Sequence, residues 1–240
     1  PEVRAQSAKV LGNARIEEAY ESLIRLLQDP HPRVRFFAAL GVGKLGHQEA
    51  TEPIFQMLRE NAEDDPFLRH AGVMALVWLN DINALVAAAK DGSPRVRMAT
   101  LLAMRRLNRP EVAMFLYDPE PSLVLESARA IYDLPMASAY SQLATLISKD
   151  ALPLPVMRRV LHASFRLGNL ENALGLAARK LGVDVINTFS GCPGDHAAAR
   201  QPNWVTCAWP PEYLEILDWQ WNRSVIPYWR KTVEFARAHE

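Results

Sequence analysis

Apolar residues recur through most of the chain at the three- and four-residue spacing that is typical of amphipathic helices. Several of these stretches begin at a proline, such as the one that follows Pro32 with Val34 and Ala38. Proline suits the first turn of a helix, because the N–H that it lacks would have no partner there. The pattern therefore predicts a series of helices that begin at prolines, with partner helices in the apolar stretches between them, for example at residues 19–27 and 53–58.

The predicted helix starts share a motif, Asp-x-x-Pro-x-Val-Arg, which is complete at residues 29–35 and 91–97 and looser at 65–69 and 118–123. Residues 1–4 resemble the end of an earlier copy, and residues 155–158 a last one. Successive prolines from Pro32 to Pro155 are 34, 28, 27 and 34 residues apart. Repeats of this length predict a solenoid in which each helix pair packs on the next. We expect the motif aspartates to cap the helix starts; they are Asp29, Asp65, Asp91 and Asp118.

The motif closely resembles that of HEAT repeats, over residues 1–172. Within it, residues 118–133 and 158–172 resemble the HEAT region of large planctomycete-type membrane-bound dehydrogenases. In that family the repeats connect a sugar-dehydrogenase-like propeller to a c-type haem module. The sequence contains no Cys-x-x-Cys-His motif, so no covalent haem site is predicted. What the resemblance implies is a connecting scaffold that binds protein through its extended surface.

Residues 173–240 follow a different pattern, which predicts a domain boundary at 172/173. A helix over 173–181 that ends at Gly182 is followed by a short apolar run at 183–189, which predicts a buried strand. A loop is predicted over 190–211, and then a helix with an apolar stripe from Leu214 to Phe235. Pro227 lies inside this helix, where its ring would clash with the carbonyl of Arg223, so we expect a kink or break there.

This second segment resembles the xylose-isomerase-like sugar phosphate isomerase/epimerase family, a divalent-metal TIM barrel, over residues 176–239. The resemblance is carried by GVDVINTFSGCPGD at 182–195, PNWVTCAWPP at 202–211 and the helix that follows. Such barrels act at the C-terminal ends of their strands. The resemblance thus implies Asn187, Ser190 and Gly191 at the mouth of the barrel and Trp204 as a wall over a sugar.

The family holds its metal, of the manganese, magnesium or zinc type, with residues on later strands that would follow Glu240. No catalytic residue and no metal ligand is therefore assigned in this chain. The expected fold is mainly α: a HEAT-repeat α-solenoid followed by an incomplete α-β-α piece of a TIM barrel. Pro1 and Glu240 are expected to be cut ends. A junction near 171–178 falls within a helix in both families, which leaves a natural recombination, an assembly error and a deliberate fusion open.

Two functions follow from this organisation. The first is a HEAT-repeat scaffold that binds protein and carries a barrel remnant without catalytic metal ligands. The alternative is a fragment of a divalent-metal-dependent sugar (phosphate) isomerase or epimerase, active and able to bind a sugar only if further sequence completes the barrel.

Charge weakens a third possibility, nucleic-acid binding. Lysine plus arginine equals aspartate plus glutamate at 27 each, with 20 of each before residue 175 and 7 of each from there on. The motif arginines either meet phosphates or form a ladder with the motif aspartates, and local neutrality favours the ladder. The sequence has no apolar run of about 18 residues, so no transmembrane helix is predicted.

Cys192, His196 and Cys207 provide three soft ligands within 16 residues, but their spacing fits no standard zinc site. Two cysteines do not indicate a cellular compartment, and none is assigned.

Overall fold

The computed structural model describes residues 1–61, 65–149, 152–168, 194, 196–199, 204–205 and 211–238. They are mainly helical, and no strand occurs among them. The chain divides into two compact units, Pro1–Ala163 and Ser164–Glu240. In the described residues, no helix is both long and apolar enough to span a bilayer.

In the first unit, long helices alternate with shorter ones. The long helices are α1 (Glu2–Asn13), α3 (Pro32–Leu45), α5 (Pro66–Leu79), α7 (Pro94–Arg106), α8 (Pro121–Asp133) and α10 (Leu154–Arg166), the last three residues of which belong to the second unit. The shorter ones are α2 (Tyr20–Leu26), α4 (Thr51–Arg59), α6 (Ile82–Ala88), a 3₁₀-helix (Pro110–Tyr117) and α9 (Tyr140–Thr145). Single 3₁₀ turns flank them at Glu17–Ala19, Gln48–Ala50, Ala137–Ala139 and Leu146–Ser148.

The expectation that prolines begin the long helices is confirmed. Pro32, Pro66, Pro94 and Pro121 are the first residues of α3, α5, α7 and α8, and α10 begins one residue before Pro155. Fixed φ and the missing N–H make proline suited to this position. The prolines therefore mark the repeat boundaries in the structure as they do in the sequence.

The expectation that the aspartates cap the helices is correct for Asp65 and wrong for the other three. Asp65 is the N-cap of α5, where its side chain accepts hydrogen bonds from the N–H groups of Phe67 and Leu68. Asp29 instead accepts from the N–H of His31 at 2.9 Å, in the turn before α3, and Asp91 and Asp118 bind the N–H two residues on in the same way. These three lie two residues before the N-cap. Their carboxylates therefore bind the N–H of the N-cap residue, in the turn before the helix, and not the N–H groups of the first helical turn.

Small residues let the long helices approach one another closely. A Cβ on Gly12 in α1 would overlap the Cα of Gly41 in α3. In the same way, a Cβ on Gly43 would lie 2.6 Å from the Cα of Ala75 in α5. Between the long and the short helices lies one apolar core, which includes the fully buried Leu23, Leu76 and Phe115. Close packing of this kind transmits the register of one helix pair to the next.

In the second unit, helix α11 (Glu212–Trp219) continues through a π-helical segment (Gln220–Val225) into α12 (Ile226–Ala238). The expected break at Pro227 takes the form of this π segment. The N–H of Ile226 bonds to the carbonyl of Trp221, five residues back. A wider turn relieves the clash between a proline ring and the preceding turn without ending the helix.

Three expectations lie outside the described residues: the helix at 173–181, the strand at 183–189 and the domain boundary at 172/173. The α-β-α barrel piece is therefore not shown, whereas the mainly helical repeat architecture is.

Candidate interaction surface of the repeat unit

One face of the long helices is accessible in the first four repeats. Positions are counted from the motif proline, so that +1 follows Pro1, Pro32, Pro66 or Pro94. Positions +1, +5, +8 and +12 lie on the same side of a helix. We call this face of α1, α3, α5 and α7 the ridge. Its members are Glu2, Gln6, Lys9, Asn13, Arg33, Phe37, Leu40, Lys44, Phe67, Ala71, Met74, Trp78, Arg95, Ala99, Leu102 and Arg106, of which Ala71 and Ala99 are buried.

Ridge residues of neighbouring helices contact each other. The ammonium of Lys9 in α1 lies 5.6 Å from the centre of the Phe37 ring in α3, and the Arg33 guanidinium lies 5.9 Å from the same ring. Lys44 donates to the side chain of Asn13 and lies 5.6 Å from the centre of the Trp78 ring. Cations over aromatic faces hold both partners in place while leaving them open to a ligand.

A cleft of about 520 Å³ opens at the C-terminal ends of α1, α3 and α5. Its lining consists of Asn13, Arg15, Gly43, Lys44, Leu45, Gly46 and Trp78. Gly46 ends α3 in the left-handed conformation, with φ 84°, and Trp78 is 39% exposed at the wall. Two cations beside an indole face give the cleft the chemistry to hold a carboxylate next to an apolar group.

The ridge is cationic although the chain is neutral. Its charged members are five cations and one carboxylate, Glu2, which lies 3.7 Å from Arg33. The cations are Lys9, Arg33, Lys44, Arg95 and Arg106. Exposed arginine and aromatic residues are the types that contribute most to protein interfaces. The ridge thus has an excess of positive charge that the whole chain lacks. This is the composition expected of a surface that binds an acidic partner.

Two motif arginines have another role: Arg4 and Arg97 form ion pairs with the motif aspartate of the next repeat, and we call these pairs the ladder. Arg4 makes a two-point contact with Asp29 at 2.7 and 3.2 Å, and Arg97 makes the same contact with Asp118 at 2.8 and 3.0 Å. Arg97 also donates to the carbonyl of Asp91 in its own turn at 2.8 Å. The side chains of Arg97 and Asp118 are only 11% and 5% exposed, so this pair joins two repeats and does not face a ligand.

The ladder favours ionised carboxylates. The hydrogen bond from Arg4 holds the pKa of Asp29 below its ordinary value, against the opposing effect of burial. Burial acts against ionisation of Asp91, but hydrogen bonds from Arg59, at 2.7 Å, and from the N–H of Ser93 outweigh it, and the pKa of Asp91 is also lowered. The ladder interpretation is therefore supported for Arg4 and Arg97, whereas Asp91 is bound by Arg59 of α4, outside the motif.

Of the residues implied by the barrel resemblance, Asn187, Ser190 and Gly191 lie outside the described residues. Trp204 is described, and its ring lies edge-on against Trp221 with centroids 5.4 Å apart. The next residue, Val205, donates its N–H to the side-chain oxygen of Gln220 at 3.2 Å. Trp204 is thus held against the π-helical segment of its own unit, and its role beside a sugar stays a prediction.

Metal ligation by Cys192 and Cys207 also concerns residues outside the described part of the chain, whereas the Nδ1 atom of His196 accepts a hydrogen bond from the N–H of Ala198. Where the structure is described, no group of three His, Cys, Asp or Glu side chains is placed to hold a metal ion.

The ridge was missed by the sequence analysis, which considered the arginines as one set. Counting positions from each proline separates them: Arg4 and Arg97, which pair with motif aspartates, are at +3, and +1 and +12 cations such as Arg33 and Lys44 belong to the ridge. That register was present in the sequence and is the signal that finds this surface.

Comparison with known proteins supports the repeat architecture. A family model described as HEAT repeats matches residues 1–77, so this part of the chain is a HEAT-repeat region. A 60-residue stretch is 42% identical to an uncharacterized protein, YfiH, of Bacillus subtilis (strain 168). That stretch covers 24% of this chain and 19% of the relative. These findings do not extend to the dehydrogenase or the isomerase resemblance.

Proposed function

We propose that this protein is a helical-repeat scaffold whose ridge binds an acidic segment of another protein. The observation that carries the proposal is the concentration of five cations against one carboxylate on a single accessible face of a neutral chain. HEAT repeats in residues 1–77 include α1 and α3 and nearly all of α5, the helices that form the cleft.

The cleft supplies the anchor for such a segment. A carboxylate beside Lys44 and Arg15 would form charge-assisted hydrogen bonds, and an apolar side chain on the next helical turn would pack on Trp78. The cations that flank it on the ridge, Lys9 and Arg33, favour an approach by negative charge and raise the rate of association. The segment is therefore expected to be both acidic and apolar.

Fluorescence anisotropy tests this with three labelled probes: an amphipathic peptide of glutamate and phenylalanine, its glutamate-to-lysine counterpart and a single-stranded oligonucleotide. We expect the acidic peptide to bind best, and the variant Lys44→Glu to bind it at least tenfold more weakly, since a close like-charge contact costs about 1.4 kcal/mol or more. Arg230→Glu, the same charge change on an exposed residue of α12, is the matched control.

Equal binding of the two peptides, or equal losses in Lys44→Glu and Arg230→Glu, would contradict the proposal. Tighter binding of the oligonucleotide than of the acidic peptide would replace the protein partner with a nucleic acid. Salt dependence separates these cases further, because contacts with a phosphate backbone release counterions and weaken steeply with ionic strength.

The barrel remnant and the alternative isomerase function rest on the sequence resemblance alone, as does the divalent metal that the complete family uses. Their test is direct: isomerisation of a keto sugar by the 240-residue chain, dependent on manganese, would support the enzyme and contradict a scaffold role alone.

A further inference from the structure

A second face of the long helices is the one that packs on the preceding helix pair. It comprises positions +2, +6 and +9, counted from the first residue of the helix in α3, α5, α7, α8 and α10. In these five helices every such residue is buried, from Val34, Ala38 and Gly41 in α3 to Val156, Val160 and Ala163 in α10. We call this face the leading flank.

Both helices of the preceding pair cover the leading flank. At Gly41 of α3, a Cβ would lie 3.2 Å from the side chain of Leu23 in α2 and 3.4 Å from the Cα of Gly12 in α1. At Gly72 of α5, it would lie 2.8 Å from the side chain of Leu58 in α4. Each flank therefore needs a long helix and a short helix to be buried.

Counted from Pro1, the corresponding flank of α1 has an apolar residue at +2 and a small one at +6, as the covered flanks of α3, α5, α7 and α8 have, but valine at +9, where all five covered flanks have glycine or alanine. This flank is open. Val3 is 80% exposed and Val10 is 61% exposed, and Ser7 between them is exposed as well. Together with Glu2, Gln6 and Leu11 they line a groove of about 550 Å³. The positions that are equivalent to Val3 are at most 1% exposed in α3, α5, α7, α8 and α10.

We propose that the leading flank of α1 is a stacking surface for a further helix pair of the same repeat type, joined in register through Pro1. The contact register defines the occupant. In the first three long helices, position +11 of one helix faces +9 of the next, as Gly12 faces Gly41 and Gly43 faces Ala75. Where +11 is a larger residue, as in α5, α7 and α8, the next helix has alanine at +9. Because α1 has the larger Val10 at +9, the long helix that covers it needs glycine or alanine at +11.

Arg4 provides an independent indication of the same register. In Arg35 and Arg97, the equivalent arginines, Nη1 donates at 2.8 Å to a carbonyl three residues before the motif proline. The Nε and Nη2 atoms of Arg4 bind Asp29 in the way that those of Arg97 bind Asp118. Arg4 therefore has the geometry of an arginine that joins two turns, one of them on the N-terminal side of Pro1.

A tandem duplication tests the surface. A copy of residues 1–31 is placed ahead of Pro1, which reproduces the 31-residue spacing from Pro1 to Pro32. In a background without Cys192 and Cys207, the thiol of Ser7→Cys in the original copy reports access to the flank. We expect the added helix pair to slow thiol labelling by about tenfold or more, as burial in a packed contact does.

Two controls distinguish stacking from crowding. An extension of equal length made of glycine and serine should leave labelling fast. The duplicated chain with Gly12→Leu in the added copy should also label fast, because position +11 can then no longer approach Val10. Labelling that is equally fast with the true copy and with the flexible extension would overturn the proposal.

The alternative occupant is a second copy of the chain. Sedimentation of the unextended protein over a range of concentrations, with labelling of Ser7→Cys at each, tests it. Monomers with a fast-labelling thiol are expected. Dimers that protect this thiol would overturn the proposal in favour of self-association. Thiol labelling at position 7 does not measure binding at the cleft of Lys44 and Trp78, so these outcomes are independent of the acidic-segment proposal.

Discussion

The two units use amphipathic helices with different results. In the first, positions +2, +6 and +9 are buried in five successive helices, since each helix pair is covered by the one before it. In the second, much of the apolar stripe that the sequence analysis identified is accessible: Leu214 is 52%, Trp221 45% and Tyr228 42% exposed. An apolar stripe is thus buried only where a matching neighbour is present, and a repeat supplies that neighbour by construction.

The units also differ in what fixes their local structure. Apolar contacts, close-packed glycines and the Arg–Asp ladder hold the repeats in register. Among the described residues of the second unit, the contacts that connect separate segments centre on Gln220, which is fully buried and donates to the carbonyl of Gly194 at 3.0 Å. Four predictions test which contacts stabilise each unit.

The largest effect is expected from Arg97→Met, which leaves the carboxylate of Asp118 buried without its arginine. Removing one partner of a buried ion pair costs about 3–5 kcal/mol of unfolding free energy. Arg33→Met is the control, because Arg33 and Glu2 form an exposed pair at 3.7 Å. Urea unfolding followed by far-ultraviolet circular dichroism measures both. Equal, small losses in the two variants would show that the ladder does not join the repeats energetically.

A smaller loss is expected from Gly43→Ala, because the added Cβ would lie 2.6 Å from the Cα of Ala75 and the two helices must move apart. Overpacking of this kind costs about 1–3 kcal/mol. Gly92→Ala is the matched control: no atom lies within 4 Å of its Cβ, so no loss is expected. Thermal unfolding of both variants compares them. If Gly43→Ala is as stable as Gly92→Ala, close approach does not set the register.

The third prediction concerns the second unit. Gln220→Leu removes the partners of the Val205 N–H and the Gly194 carbonyl, which costs about 1–3 kcal/mol when the groups are buried. Five of the six tryptophans lie after residue 190, so tryptophan fluorescence reports mainly on this unit. We expect the fluorescence transition to move and the circular dichroism transition of the repeats to stay. A joint shift of both would show that the units unfold together.

The smallest effect is a dependence on acid. The pKa values of Asp29 and Asp91 are lowered in the folded state, so these carboxylates stabilise the fold above their ordinary pKa of about 4 and lose that contribution as the pH falls through the folded values. Thermal unfolding from pH 7 to 2.5 should show this loss for the repeats. In Asp29→Asn the pH dependence should be weaker; an unchanged profile would contradict the assignment.

Part of the fold was predictable because its cause is local. Proline spacing located the starts of α3, α5, α7 and α8, since the fixed φ of proline acts on its own helix. The same reasoning was wrong for Asp29, whose carboxylate closes the preceding turn. The π-helical segment before Pro227 was expected as a break, but its form depends on how the helix accommodates the lost hydrogen bond.

The ridge and its cleft also have some features that follow from the sequence and others that depend on tertiary packing. That Arg33 and Lys44 share a helix face follows from their spacing alone. That Lys44 reaches Asn13 and Trp78 depends on the packing of three helices whose residues lie far apart in the sequence. The same holds for the cleft that these residues line.

By itself, the sequence determined where helices begin, how long a repeat is and which positions recur within it, because these depend on backbone preferences and on periodicity. Only the tertiary structure decided which of those positions are covered. Val3 and Val34 occupy the same place in the repeat, yet one is 80% exposed and the other fully buried. The physical reason is that an apolar side chain leaves water only when a second surface packs on it. In a repeat structure that surface is provided by the neighbouring helix pair.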